Sequence, residues 1–348
     1  MNSKIIAQRN SSYELLRLIS GLAVIVLHFN FFPSGGGALN EAQGLIYYVL
    51  LLLEIISVSA VNNFILLSGY FSCDSHTIKT GRLLELLLQT VCFSLVFELV
   101  KCFLYKDWDL NRLLISLLPV NYFVVLYIVM MVLAPFINKL ICSISTSSFN
   151  LLVILSFLIF SVYATIVDIL IEYTNMSFEG LSSVGLKGSM NGYSIVNFLL
   201  VYIIGTWLKK NENIKTIKTV TLIIWWILSI LMICIWRILL PQTAWTYCNP
   251  IIILNACIDF IFFGRIRINS KVINSLARAS FVSFLINVEL LGFIGNQLFT
   301  EKSPLLIILL LAIIFIYGIS YFLMLIWNLI TKPIFKYTIN KLPNFTVW

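Results

Sequence analysis

The chain has 348 residues, of which 60% are hydrophobic and 11% charged, with a mean hydropathy of +0.99. Soluble globular domains are about 45–50% apolar and about 25% charged, so a soluble fold is excluded and an all-α polytopic membrane protein is expected. The net charge of +8 does not mark a nucleic-acid binder: the basic residues lie in short loops between apolar runs, and no basic tract with interleaved aromatics stands apart.

Ten apolar segments can be placed as membrane spans, each near the length of about 20 residues that a bilayer requires. They are expected over 12–32, 45–70, 83–105, 117–140, 150–172, 193–208, 218–240, 247–264, 272–297 and 304–330, forming a single membrane domain over 1–348 without internal repeats. The first segment carries charge within its apolar run and is expected to stay as a span rather than act as a cleaved signal. With the N-terminus in the cytoplasm, 17 of the 23 Lys and Arg residues fall inside and 6 outside. That bias, with an even number of spans, places both termini in the cytoplasm.

The first span contains Glu14, Arg17 and His28. Eleven residues of α-helix return Arg17 and His28 to within about 20° of one face while separating them by about 16 Å along the axis. Glu14 lies three residues before Arg17, a spacing at which helical side chains touch. Ionisable groups inside a bilayer are costly and usually face a protein interior or an aqueous cavity. One stripe therefore offers a guanidinium suited to phosphate or carboxylate and, deeper, an imidazole able to act as a general base. An extended donor with phosphates at one end and a reactive carbon in the membrane matches both, and acyl-coenzyme A has that shape.

Further along, the second span holds Glu54, Asn62, Asn63 and Ser68, with Asn62 and Asn63 within two turns of Ser68-Gly69 and expected to line a cavity. Lys79 and Arg82 follow in the SCDSHTIKTGR loop, where His76 reads as solvated. Glu98, Asp259 and Glu289 sit within later apolar runs, whereas Asp168 and Glu172 read as an interfacial pair at the end of the fifth span. The longest non-apolar segments are 173–192 and the tail from Thr331. The seven cysteines are odd in number, lie mostly in apolar runs and form no CxxC, so neither a disulfide framework nor a metal site is expected.

Five segments in order resemble those of the acyltransferase-3 family, the integral-membrane enzymes that acylate polysaccharides and other cell-surface glycans. They are the Arg17–ten residues–His28 pattern with Glu14 before it, VNNFILLSGYF at 61–71, NYFVVLYIVMMVLAPFINKL at 121–140, GYSIVNFLLVYIIGTWLKK at 192–210 and SLARASFVSFLIN at 275–287. The resemblance implies a bundle of about ten helices in the bacterial plasma membrane that takes an acyl group from cytoplasmic acyl-CoA as co-substrate, with no permanently bound cofactor. The acceptor would be a hydroxyl of a glycan or lipid-linked saccharide. It assigns catalysis to His28, donor binding to Arg17 oriented by Glu14, and contacts to the CoA phosphates to Lys79 and Arg82. Ser68, Tyr70, Tyr122, Tyr127, Ser194, Asn197 and Asn287 fall in the matching segments and are expected, with Asn62 and Asn63, around the cavity and acceptor. The chain departs from many relatives at Asn287, where they carry a histidine; there a proton-transfer role is excluded and only hydrogen bonding remains. His28 would either take the hydroxyl proton during direct transfer or carry the acyl group itself. The competing reading is a transporter or flippase with Arg17 and His28 along its path, although the paired broken helices of many transporters are not visible.

Overall fold

The computed structural model describes residues 10–31, 37–119, 121–174, 176, 194–298 and 303–347. The long connection expected over 173–192 lies largely outside them, as do Lys4, Arg9, Lys187 and Lys302. In chain order the helices are α1 Ser11–Asn30, α2 Ala38–Glu41, α3 Gly44–Ser57, α4 Ala60–Ser72, α5 Thr80–Tyr105, α6 Leu110–Ser116, α7 Tyr122–Ser143, α8 Thr146–Phe157, α9 Ala164–Thr174, α10 Ile195–Lys210, α11 Thr219–Leu239, α12 Pro250–Phe263, α13 Lys271–Leu276, α14 Ser280–Leu298 and α15 Leu305–Tyr337. Two short strands, β1 Thr77–Ile78 and β2 Phe345–Thr346, pair antiparallel.

Among the described residues nine helical stretches are long and apolar enough to cross a membrane. The expected span over 193–208 is α10, whose 16 residues give only about 24 Å of rise. It is nevertheless deeply packed, against α4, α7 and α8. The helices start where side chains can satisfy the first free N–H groups, which no solvent replaces inside a bilayer. Asn10, Asn121, Ser145, Ser194, Asn249 and Ser270 all serve as such caps.

The second, fourth and last spans depart from expectation, and the ninth is broken by a 3₁₀ turn over Ala277–Ala279. The second span is interrupted at Val58–Ser59, between α3 and α4, and Ser59 donates to Asp259 Oδ2 at 2.8 Å. The fourth begins at Tyr122 rather than 117, because Leu110–Ser116 forms the separate helix α6 and Asn121 caps the new start. The last continues to Tyr337, beyond 330 and past Pro333. Hydropathy marks where an apolar run ends, not where backbone hydrogen bonding ends.

α1 is the central helix, in contact with α3, α4, α12, α14 and α15. It runs parallel to the α13–α14 pair, as three ascending contacts show. Ser270 N donates to Ser11 Oγ at 3.0 Å, Ser280 Oγ to the Arg17 carbonyl at 3.2 Å, and His28 meets Asn287. On the other side α4 and α10 cross at backbone distance. A Cβ on Gly69 would strike the Tyr202 carbonyl, and one on Gly205 would strike the Leu66 carbonyl. Asn138 then ties α7 to both: its Nδ2 donates to the carbonyls of Ser72 (2.7 Å) and Ser75 (2.8 Å), while its Oδ1 accepts from Tyr202 OH at 3.0 Å.

Candidate active site

A cleft of about 600 Å³ opens beside α1 at the end of the bundle where that helix begins. Such a volume lies within the range of small-molecule sites, about 300–1,000 Å³. Arg17, Lys79, Arg82 and Arg278 line it, against one carboxylate, Glu85. Lys79, Arg82 and Arg278 are exposed, so their charge is available to a ligand. Deeper in, Ser68 and Tyr127 share a hydrogen bond of 2.9 Å, and Phe64, Phe123 and Phe284 form an apolar floor.

Arg17 is held from its own helix. Nη1 lies 2.6 Å from Glu14 Oε1, one turn back in the first turn of α1, where a carboxylate also suits the helix dipole. Glu14 is 8% exposed, so the ion pair is sheltered on its acidic side while the guanidinium, with 32% of its side chain accessible, reaches the cleft. A sheltered carboxylate and an accessible guanidinium leave donors free for an anion.

His28 does not line the cleft. It is half-buried near the far end of α1, its ring centroid 6.5 Å from that of Phe284, and Phe284 does form the cleft floor. Nδ1 is hydrogen-bonded to Asn287 Oδ1 on α14. Asn287 is fully buried, and its Nδ2 donates to the carbonyls of Ser283 (2.6 Å) and Phe284 (3.0 Å). Both positions of α1 meet α14, Arg17 through its backbone carbonyl, which accepts from Ser280, and His28 through its ring.

The other expected residues take different places. Asn62 is buried and donates to the Tyr247 carbonyl at 3.0 Å. Asn63 is bonded to Asp259 and borders a separate apolar crevice with Ser59 and Trp226. The two amides are therefore committed away from the cleft and do not line it as expected. Tyr70 is buried in an aromatic cluster with Tyr13, Phe71 and Phe260, with Lys209 Nζ 5.0 Å above its ring. Tyr122 is exposed at the start of α7 and Ser194 caps α10. Asn197 is buried, and its amide has no hydrogen-bond partner among the described residues.

Polar residues elsewhere in the spans are mostly paired. Asp259 accepts from Ser59, Asn63 and Trp226, and Glu54 from Asn30. Lys101 lies 2.5 Å from Glu289 and 3.7 Å from Glu98, which Arg112 also meets at 3.4 Å. Arg112, outside the spans, is held above its ordinary pKa by its hydrogen bond to Asp107. Asp168, expected at an interface, is fully buried, whereas its neighbour Glu172 accepts from the N–H groups of Gln242 and Thr243. No group of three or more His, Cys, Asp or Glu suited to a metal occurs among the described residues.

Several cleft residues escaped the sequence reading. Arg278 belongs to the SLARAS segment at the start of the expected span over 272–297, where it counts only toward the cytoplasmic charge bias. Trp327 and Asn328 of α15 line the cleft, and buried Trp327 Nε1 has no hydrogen-bond partner among the described residues. The tail returns as β2 to pair with β1, Thr80 Oγ1 donating to the Pro343 carbonyl at 2.7 Å, and so brings Ile339, Leu342 and Asn344 to the cleft wall. No local signal foretells a two-residue strand pairing across more than 250 positions.

A family model described as an acyltransferase domain, Acyl_transf_3, matches residues 10–327, nearly the whole chain. No curated protein and no solved structure matches.

Proposed function

The chain belongs to the acyltransferase-3 family and is a multi-pass membrane acyltransferase; from that premise we propose that it moves an acetyl group from acyl-coenzyme A to a sugar hydroxyl. The acceptor is a surface polysaccharide or lipid-linked glycan precursor at the bacterial plasma membrane. One observation carries the reading: a basic cleft with Arg17 in its wall and His28 eleven residues further along the same helix, joined through Phe284.

Arg17, Lys79, Arg82 and Arg278 receive the phosphates of the donor, where guanidinium groups can bind two oxygens at once. The pantetheine arm follows the cleft toward Phe123 and Phe284, which exclude water around the thioester. The acceptor hydroxyl oxygen attacks the thioester carbonyl carbon while His28 Nε2 takes its proton. The carbon–sulfur bond then breaks, the ester remains on the sugar, and the coenzyme leaves as the thiol after receiving a proton.

Proton NMR of surface glycan from a host with and without the gene tests this. Loss of the ester signals with the glycan retained supports transfer. Loss or mislocalisation of the glycan itself contradicts it and favours transport.

A further inference from the structure

We infer that Asn287 is a positioning residue: it fixes which nitrogen of His28 carries the proton, leaving the Nε2 lone pair free. The inference rests on the base role proposed above for His28. Its warrant is the order of hydrogen bonds around one amide.

Asn287 is fully buried on α14. Its Nδ2 has two hydrogens to donate, and two backbone carbonyls take them: Ser283 at 2.6 Å and Phe284 at 3.0 Å. Those carbonyls accept only, so the amide cannot be turned over without leaving two carbonyls facing an oxygen. The atom toward His28 is therefore Oδ1, which is likewise an acceptor. For His28 Nδ1 to bond it, Nδ1 must carry the hydrogen. In a neutral imidazole the other nitrogen then has the free lone pair, and Nε2 makes no hydrogen bond to any described residue. Free histidine favours the opposite tautomer in water, so the fold selects the less common form. A carboxylate commonly does the same work for a catalytic histidine. Here a neutral amide does it, fixing the tautomer without placing a negative charge beside the ring.

The chain has two histidines, which makes a spectroscopic test simple. In protein carrying His76→Gln and labelled with ¹⁵N-imidazole histidine, the remaining resonances belong to His28. At neutral to mildly basic pH we expect Nδ1 protonated and Nε2 unprotonated. Asn287→Leu, which removes the acceptor, moves the signals toward the Nε2-protonated form and lowers surface-glycan ester at least tenfold at equal protein level. Asn287→Asp, with the carboxyl proton on the oxygen that faces the Ser283 and Phe284 carbonyls, keeps an acceptor oxygen toward His28, retains the Nδ1-protonated form and recovers ester to within about fivefold of wild type. The inference is overturned by an Nε2-protonated ring in the otherwise wild-type protein, by unchanged tautomer and ester in Asn287→Leu, or by Asn287→Asp behaving as Leu. The tautomer signal needs no turnover. His28→Ala that keeps the ester would therefore sink the base role while the hydrogen-bond order stood.

Discussion

Glu14 Oε1 sits 2.6 Å from Arg17 Nη1, with the carboxylate nearly closed to solvent and the guanidinium open to the cleft. The pair fixes the direction of the guanidinium more than it stabilises the bundle, since a partly accessible ion pair contributes at most about 1 kcal/mol. Glu14→Gln should therefore leave expression and thermal stability close to wild type and raise the donor KM about two- to fivefold. Titrating acetyl-CoA in a membrane transfer assay measures it.

Removing the guanidinium itself is expected to cost more. Hydrogen bonds to charged groups contribute about 1.5–3 kcal/mol, so Arg17→Ala should weaken donor binding roughly tenfold or more and leave the acceptor KM nearly unchanged. Equal donor affinity in the two proteins would remove Arg17 from its assigned place.

Lys79, Arg82 and Arg278 are exposed at the cleft mouth, where charge acts through solvent and salt screens it over about 10 Å at 0.1 M. Donor affinity should fall as ionic strength rises. Neutralising each to Gln should weaken binding a few-fold and flatten that salt dependence, with Arg278 behaving like the other two. A salt response undiminished by all three substitutions together would place the anion elsewhere.

The α4–α10 crossing makes a structural prediction. Because the Cβ of Gly69→Ala would meet the Tyr202 carbonyl and that of Gly205→Ala the Leu66 carbonyl, the helices must separate. Overpacking of this kind typically costs about 1–3 kcal/mol. Each variant should melt earlier in detergent than wild type, by fluorescence-detected size exclusion. Gly292→Ala, where nothing lies within 4 Å of the added carbon, is the neutral control.

Much of this was legible in the sequence for definite reasons. Arg17 and His28 share a side of α1 because helical geometry leaves no other result, and Lys79 and Arg82 fall beside Arg17 because a short loop returns the chain to the same membrane face. What could not be read is which helix packs against which. Asn62, Asn63 and Asn287 are all buried amides in spans, indistinguishable by composition. Packing gives Asn62 to the Tyr247 carbonyl, Asn63 to Asp259 and Asn287 to His28. Asn138 of the 121–140 segment likewise proves to be a clasp between α4, α7 and α10. Arg278 gave no sign of the cleft because its neighbours there come from distant parts of the chain.

His28 bears the central claim, that an imidazole behind Phe284, which floors the cleft, does the proton chemistry of acyl transfer. Proton NMR of surface glycan from cells making wild-type or His28→Ala protein at equal levels tests it most directly. The account predicts that the substitution abolishes the ester resonances and leaves the glycan in place. Ester at wild-type abundance on glycan from the His28→Ala cells would contradict it.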